Sequence, residues 1–514
     1  MPEARSAARV RPGVRERWLT YATPLLLCRV ALWGFVCLFV TRTVADADLW
    51  GHLQFGLDIL ASKTLPAYDT YSFTSDRPWV NHEWLAELLT AVAYTALGPT
   101  GLVALKLTVI GVIAAILFAV AREEGADPLA RDLFVALTLF VTYTRTQVVR
   151  PQLFSVAVFC IVLYLLRQYQ QGRRAALWGV PLCFAVWVNL HGGWLVGLGA
   201  LGIWMAADAW KHWSARRTSM LALVGVLTIA ATLANPYGTG LWMFVAETVR
   251  FERADISDWK PLFQLPVPII LINALLPGLA LLAVWRQRLV RGVPLSAAAV
   301  LGLLALATLR LGRVDAFLQS AVAILLAPQL LALLNGIRGR VPRLLLRPSF
   351  AVGAIAVGLA AYVGVAARQN LRDVRVEGHW IPDRAAAMFL RDHRPGARVL
   401  TWFDWGEYAI WQLSPAGIRV SMDGRRETVY SQRVLSDHNR FYGADPAMAD
   451  YPDRIGADHV WLPSNFEIIG PLRERGWQTM LDTGQSVVLA RGRARIDAGA
   501  LPADGQEPPV FPWP

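Results

Sequence analysis

Asp46 and Asp48 stand two positions apart just beyond the first long apolar run, and His52 follows four positions later. Acidic side chains beside a membrane are costly unless they are hydrated or used. Two carboxylates at this spacing, with an imidazole nearby, can bind a divalent cation such as magnesium or manganese, or supply a general base. His52 reads as a ligand, a lipid-phosphate contact or a capped surface residue. The stretch TLPAYDTYSFTSDRPWVNHEW adds Asp69, Tyr71, Asn81, His82 and Glu83. Of these, Asp69, His82 and Glu83 are candidate substrate contacts, whereas Asp58 and Asp76 read as solvated loop acids.

Further polar groups stand at the ends of later apolar runs. Arg145, Arg150 and Gln152 flank a turn. A guanidinium there can grip a phosphate through its planar fork or snorkel to the interface. Pro151 fixes the turn beside Arg150, which makes Arg150 the stronger candidate. WVNLHGGWLVGL places Asn189 and His191 before two glycines, so His191 reads as a metal or proton site, or as a helix–helix hydrogen bond. Asn235-Pro236-Tyr237-Gly238 is a helix stop. In RLGRVD, Arg313 and Asp315 pair, or Arg310 or Arg313 holds a phosphate.

These groups must be positioned by membrane helices. Apolar residues are 55% of the 514 and charged residues 17%, against about 45–50% and 25% in soluble domains. A crossing needs roughly 20 apolar residues. About eleven spans are expected, near 19–42, 102–121, 131–149, 152–167, 176–190, 193–210, 218–234, 266–285, 293–310, 314–334 and 347–366. Lys and Arg mark cytoplasmic ends. The tail 1–18, with Arg5, Arg9, Arg11, Arg15 and Arg17, is therefore cytoplasmic. So are the loops holding Arg167, Arg173 and Arg174; Lys211, Arg216 and Arg217; Arg286, Arg288 and Arg291; and Arg338, Arg340, Arg343 and Arg347. Counting 83–98 as a crossing would invert all four loops, so it reads as an interfacial or re-entrant helix within an outer loop, 43–101. The outer face then collects 43–101, 149–151, His191 to Trp194, 235–265, 310–313 and everything after 367.

The formal charge is +12, but the Arg residues cluster beside apolar runs, so nucleic acid is not a partner. The 21 Trp and 13 Tyr suit interfacial belts or sugar stacking. Cys28, Cys37, Cys160 and Cys183 all lie in apolar runs, which gives no disulfide framework or zinc spacing.

Residues 367–497 lose the long apolar runs. VLTWF (399–403), IRVSM (418–422), DHVWL (458–462), WQTML (477–481) and SVVLA (486–490) read as strands, and 383–393, 405–413 and 465–475 as helices. A small extracytoplasmic α/β domain is expected, followed by a disordered tail, 498–514. FDWGEY and SMDGRRE stand out within it. Asp-Gly-Arg after a strand reads as a turn, and Trp402, Trp405 and Trp411 as core or an acceptor surface.

The acidic pair after the first helix, leading into an amphipathic loop and then EWLAELLTAVAYTALGPTGLVALKLTVIGVIAAILFAVA, resembles the GT-C superfamily of membrane glycosyltransferases over roughly 19–210. Protein O-mannosyltransferases and the lipid A aminoarabinose transferase belong to it. The usual adjacent acidic pair is here Asp-Ala-Asp. DxDLWxHLxxG and WGEY with its DGR turn also resemble a group of bacterial multi-span membrane proteins. The resemblance implies an all-α polytopic GT-C-like fold in the bacterial inner membrane and a polyprenyl-phosphate-linked sugar as donor. The acceptor would be a glycan, lipid or protein, with Asp46 or Asp48 as base or metal contact. A transporter would need ionisable groups in mid-span and interrupted helices at the midplane; few are seen. A non-catalytic assembly subunit is the other alternative.

Overall fold

The computed structural model describes residues 23–248, 251, 259–287, 292–338, 347, 349–378, 380–491 and 511–512. The five N-terminal arginines, Arg288, Arg291, Arg340, Arg343 and most of the tail lie outside them.

The first helix, Pro24–Thr41, starts on Thr23, whose side chain accepts from the Leu26 N–H, with Pro24 in the first turn. Both features favour a helix start. It packs along Phe350–Asn370, and Gly34 makes the approach possible: a Cβ there would stand 2.9 Å from Val363 Cγ2. Each helix runs out into a short strand, β1 (Thr43–Ala45) and β2 (Val374–Val376), and these pair in parallel. Two neighbouring helices that feed parallel strands point the same way. As spans they leave the membrane on one face, so the number of crossings from first to last is odd.

Among the described residues, five helices are by themselves long and apolar enough to cross a membrane: Pro24–Thr41, Trp84–Glu123, Pro151–Gln170, Val267–Arg286 and Phe350–Asn370. The pair Gly312–Leu325 and Ala327–Ile337, bent by 70°, makes a sixth if it is one span. Other runs expected to cross are shorter or broken. Pro128–Val141 stops at Thr142 before a separate turn, Tyr143–Thr146, and Gly179–Trp187 is preceded by a 3-10 turn, Arg174–Trp178. Interruptions of this kind are tolerated where neighbouring protein covers the helix. Trp210, Trp213 and Trp285 are exposed next to Lys211, Arg216 and Arg286, as at a membrane–water boundary.

Of the stretch 83–98, Glu83 is the N-cap and the rest forms the first limb of Trp84–Glu123, which breaks at Gly98 (φ 58°, ψ −144°) ahead of Pro99. A Cβ at Gly101 would fall 1.8 Å from the Ala93 carbonyl, which shows how tightly the chain turns there. This limb packs on the amphipathic helix Leu49–Ser62, whose Gly56 faces the Glu87 carbonyl.

The C-terminal segment forms a five-stranded sheet, with β3 (Arg398–Thr401), β4 (Arg419–Val420), β5 (His459–Pro463), β6 (Trp477–Asp482) and β7 (Ser486–Arg491) in the order β4-β3-β5-β7-β6. The first three strands are parallel, and β7 is antiparallel to both its neighbours. The sheet does not stand apart from the first loop. Leu49, Trp50, Leu53, Phe55, Tyr71 and Trp79 share one buried core with Val374, Trp405, Tyr408, Val420 and Tyr430. Phe73 N donates to the Val420 carbonyl and Val420 N to the Tyr71 carbonyl, so the loop adds a rung to the β4 edge. Of the tail expected to be disordered, only Phe511 and Pro512 are among the described residues. Phe511 is buried among Trp50, Tyr94 and Trp411, and its N–H donates to the Val374 carbonyl at 2.7 Å. An aromatic ring near the end of a polar tail had a pocket to fill.

Candidate active site

Segments far apart in sequence meet on the face where β1 and β2 emerge. Val44 bridges to Val148, Leu85 N donates to the Asn189 carbonyl, Asn81 N to the Tyr237 hydroxyl, Arg77 pairs with Glu247, and Gly312 N donates to the Lys260 carbonyl. These are the stretches that the charge distribution assigns to one side.

At the first turn, Arg150 lies between the two aspartates. Its Nη2 donates to Asp48 Oδ2 at 2.9 Å, and its Nε pairs with Asp46. Arg150 is extended (φ −131°, ψ 153°) because Pro151 follows it and opens the helix Pro151–Gln170. Asp48 occupies the N-cap position of Leu49–Ser62, yet its side chain does not cap that helix and turns to Arg150 instead. The Asp48 side chain is 34% exposed and that of Asp46 13%. A divalent cation between these carboxylates would compete with the guanidinium. Among the described residues no group of three or more His, Cys, Asp or Glu is arranged to hold a metal. The pair therefore fits a cation site poorly.

Beyond His52, Glu83 is surrounded by imidazoles. His82 Nε2 lies 3.6 Å from its carboxylate, His191 Nε2 3.8 Å and His52 Nε2 4.0 Å. His52 Nδ1 meets Glu87 Oε1 at 3.2 Å, and the other Glu87 oxygen accepts from Asn81 Nδ2 at 2.6 Å. His191 Nδ1 accepts from the Gly193 N–H at 2.9 Å and lies 2.9 Å from Ser155 Oγ, which accepts from Trp187 Nε1. With Nδ1 accepting, the neutral ring carries its proton on Nε2, aimed at Glu83. Gly193 has to be glycine here, since a Cβ would stand 2.6 Å from Ser155 Oγ.

Electrostatics separates these groups. Burial alone would lower the His52 pKa, but the Glu87 hydrogen bond and the charges of Glu407, Glu83 and Glu87 push it up to about 10. Burial would raise the Glu83 carboxyl, yet His82, His191, His52 and Arg313 together hold it below the usual carboxylate range. Burial dominates at His191, and its pKa falls to about 3 despite Glu83. At neutral pH the cluster holds a charged His52, an ionised Glu83 and a neutral His191.

Other candidates fall elsewhere. Gln152 donates to the Arg313 carbonyl at 3.1 Å, and Arg313 stacks over Trp259 at 4.8 Å. The suggested Arg313–Asp315 pair does not form as read; Asp315 takes Arg145 at 3.0 Å, because Arg145 comes from the neighbouring broken helix. Arg310 is exposed at the end of Leu295–Arg310. The Asp69 side chain is fully buried, and its oxygens accept from the Tyr71 and Ser72 N–H groups and from Arg425, so it acts as a structural anchor. Asp76 accepts from Ser431 N and Oγ, and Asp58 from Tyr71; neither is simply solvated. Asn189 is spent on Trp84 and two carbonyls. Trp405 is core.

Sequence reasoning missed Glu407 and Glu87. Glu407 opens the helix Gly406–Leu413 within FDWGEY and is 3% exposed. Its local pattern is that of an ordinary first-turn acid.

No protein-family model matches the chain, and no curated protein matches its sequence. Solved structures do match. The apo crystal structure of ArnT from Cupriavidus metallidurans matches with a TM-score of 0.53 at 13% identity, over 94% of this chain and 100% of that one. The crystal structure of the same protein bound to undecaprenyl phosphate matches with 0.50 at 13% identity, over 91% and 99%. A cryo-EM structure of arabinofuranosyltransferase AftD from Mycobacteria matches with 0.47 at 15% identity, over 94% of this chain and 42% of that one. The ArnT likeness is one of fold: the chain shares the multi-span helical architecture of that protein.

Proposed function

We propose that the chain is a membrane glycosyltransferase. It moves a sugar from a polyprenyl-phosphate donor to an acceptor glycan, lipid or protein at the outer face of the bacterial inner membrane. About eleven crossings, with the N-terminus in the cytoplasm and the C-terminal segment outside, complete this reading. The observation that carries it is the meeting of Asp46, Asp48, Arg150, His52, Glu83 and His191, from distant segments, at one end of the helix bundle. The GT-C architecture supports it, and the undecaprenyl phosphate bound by ArnT supports a lipid-phosphate partner.

Asp48 is the more accessible carboxylate and acts as base, with Asp46 holding Arg150 in place. Asp48 takes the acceptor hydroxyl proton as the acceptor oxygen bonds to the anomeric carbon. The bond from that carbon to the phosphate oxygen breaks, and its electron pair leaves with the lipid phosphate. Positive charge from Arg150, His52 and Arg313 favours that departure, and neutral His191 offers an N–H donor. Charge stabilisation of this type is often the largest single contribution to catalysis. No step passes through a metal.

Asp46→Ala and Asp48→Ala, singly and together, should abolish the glycan that depends on this protein while its level in the membrane stays normal. Unchanged surface glycans in the double variant would sink the enzyme reading.

A further inference from the structure

The C-terminal segment contributes a side chain beside Asp48. Glu407 comes from the first turn of Gly406–Leu413, reaches the helix Leu49–Ser62 and stops against Gly51. A Cβ at Gly51 would stand 2.2 Å from Glu407 Oε2. On the other side, a Cβ at Gly424 would lie 2.6 Å from both Glu407 Oε1 and Asp48 Oδ1. The two carboxyl groups therefore face one another across a space that only glycine leaves open. Gly406 serves the same close approach, since a Cβ there would meet the Met422 carbonyl at 2.2 Å. These three glycines and Glu407 account for the WGEY and DGR motifs, which the turn reading alone leaves unexplained.

Glu407 Oε2, the oxygen against Gly51, is buried and has no hydrogen-bond partner among the described residues. Asp48 Oδ2 accepts from Arg150, and Asp48 Oδ1 is the oxygen on the side of Glu407 Oε1. Two carboxylates this close cannot both stay ionised cheaply; one proton between them removes the repulsion and adds a strong hydrogen bond.

We propose that Glu407 is a positioning residue of the transfer site: its carboxyl, wedged between Gly51 and Gly424, shares a proton with Asp48 and fixes the orientation of the catalytic carboxylate. This rests on the glycosyltransferase reading for its kinetic consequence. The charged and titratable groups around Glu407 are Asp48, His52, Asp423 and Arg425. Burial first, and Asp48 second, hold the Glu407 carboxyl well above its ordinary range, with His52 and Arg425 opposing.

The test has an arm that does not need activity. Infrared spectroscopy of the purified full chain in lipid at neutral pH should show a protonated-carboxyl stretch that Glu407→Gln removes and His82→Gln leaves in place. The transfer arm compares wild type with Glu407→Gln and Glu407→Asp. Glu407→Gln, which keeps a donor but cannot share a proton, should lower kcat by up to about 100-fold at nearly constant KM and move the acid limb of the pH profile. A Glu407→Gln protein that keeps the infrared band, or that keeps wild-type kcat and pH profile, overturns the proposal. If wild type transfers nothing, the glycosyltransferase reading fails, and the infrared band alone decides Glu407.

Discussion

Arg425 donates to Asp69 at 2.7 Å across 356 positions of sequence, with both side chains buried. The same guanidinium holds Asp423 through two nitrogens and lies over Phe55, Tyr71 and Trp79 at 4.6–5.3 Å. Such ring contacts are worth about 2 kcal/mol when desolvated. Arg425 therefore clamps the first loop to the C-terminal segment. Arg425→Ala leaves the buried carboxylates of Asp69 and Asp423 unmatched, at a cost of about 3–5 kcal/mol, whereas Asp69→Ala leaves Arg425 its Asp423 partner and costs less. Thermal unfolding in detergent should shift down in both variants, and protease should cut between 63 and 80 first. A variant with unchanged midpoint and unchanged cleavage would show that the clamp carries no energy.

Arg150 is tied to both first-loop carboxylates, so its loss should differ from loss of either one. Arg150→Ala frees two acids to repel each other and removes positive charge from the donor side. Arg150→Lys restores the charge but not the two-armed grip. Transfer should fall by about 10²–10⁴-fold in Asp48→Asn, the range for loss of a general base. Arg150→Lys should fall less than Arg150→Ala. Equal activity in Arg150→Lys and wild type would mean that the fork geometry is unimportant.

How much of this was legible in the sequence depends on where the deciding contact lies. Strands over 399–403, 418–422, 458–462, 477–481 and 486–490 show as apolar runs between turns, and β3 to β7 lie within or beside them. The helix Gln432–Tyr442 is largely polar, and its sequence signal is weak: Ser431 as its cap, with Leu435, His438 and Phe441 on one face. Asp46, Asp48, Arg150 and His191 stand out because polar residues at the ends of apolar runs are unusual, and the charge rule puts those ends on one side. Asp69 looked like a substrate contact for the same reason, and only Arg425 shows that it faces inward. Glu407 could not be found at all, because nothing in WGEY reports that Gly51 and Gly424 make room for it.

His52 and His191 should give the protein opposite pH sensitivities. The folded-state pKa of His52 is raised to about 10 from an ordinary value of about 6.5. Its contribution is present in full below about 6.5 and is lost as pH rises toward 10. The folded-state pKa of His191 is depressed to about 3, so the unfolded chain takes up the proton first, and stability drops as pH falls from about 6.5 toward 3. Unfolding midpoints across pH 4–10 should therefore peak near neutrality. His52→Gln should flatten the alkaline limb and leave the acid limb intact. An unaltered alkaline limb in His52→Gln would remove His52 from this account.

Chelation separates a guanidinium-held carboxylate pair from a metal-held one. Because Arg150 already occupies Asp46 and Asp48, transfer should survive dialysis against EDTA. Loss of transfer that magnesium or manganese restores would instead put a cation between the two carboxylates, as one reading of the sequence allows.

Sidedness follows from β1 and β2 pairing in parallel at the ends of the first and last long apolar helices. Whichever face holds Asp46 also holds the sheet. With Lys211 and Arg216 read as marking cytoplasmic ends, the proposed function requires that face to be the outer one. In a background with Cys28, Cys37, Cys160 and Cys183 replaced, Arg433→Cys, at a side chain 90% exposed, should react with an impermeant maleimide on intact cells. Trp213→Cys, at a position 75% exposed, should react only after permeabilisation. The reverse pattern would place the carboxylates in the cytosol, away from an outer-leaflet donor, and the transfer chemistry assigned to them would have no substrate there.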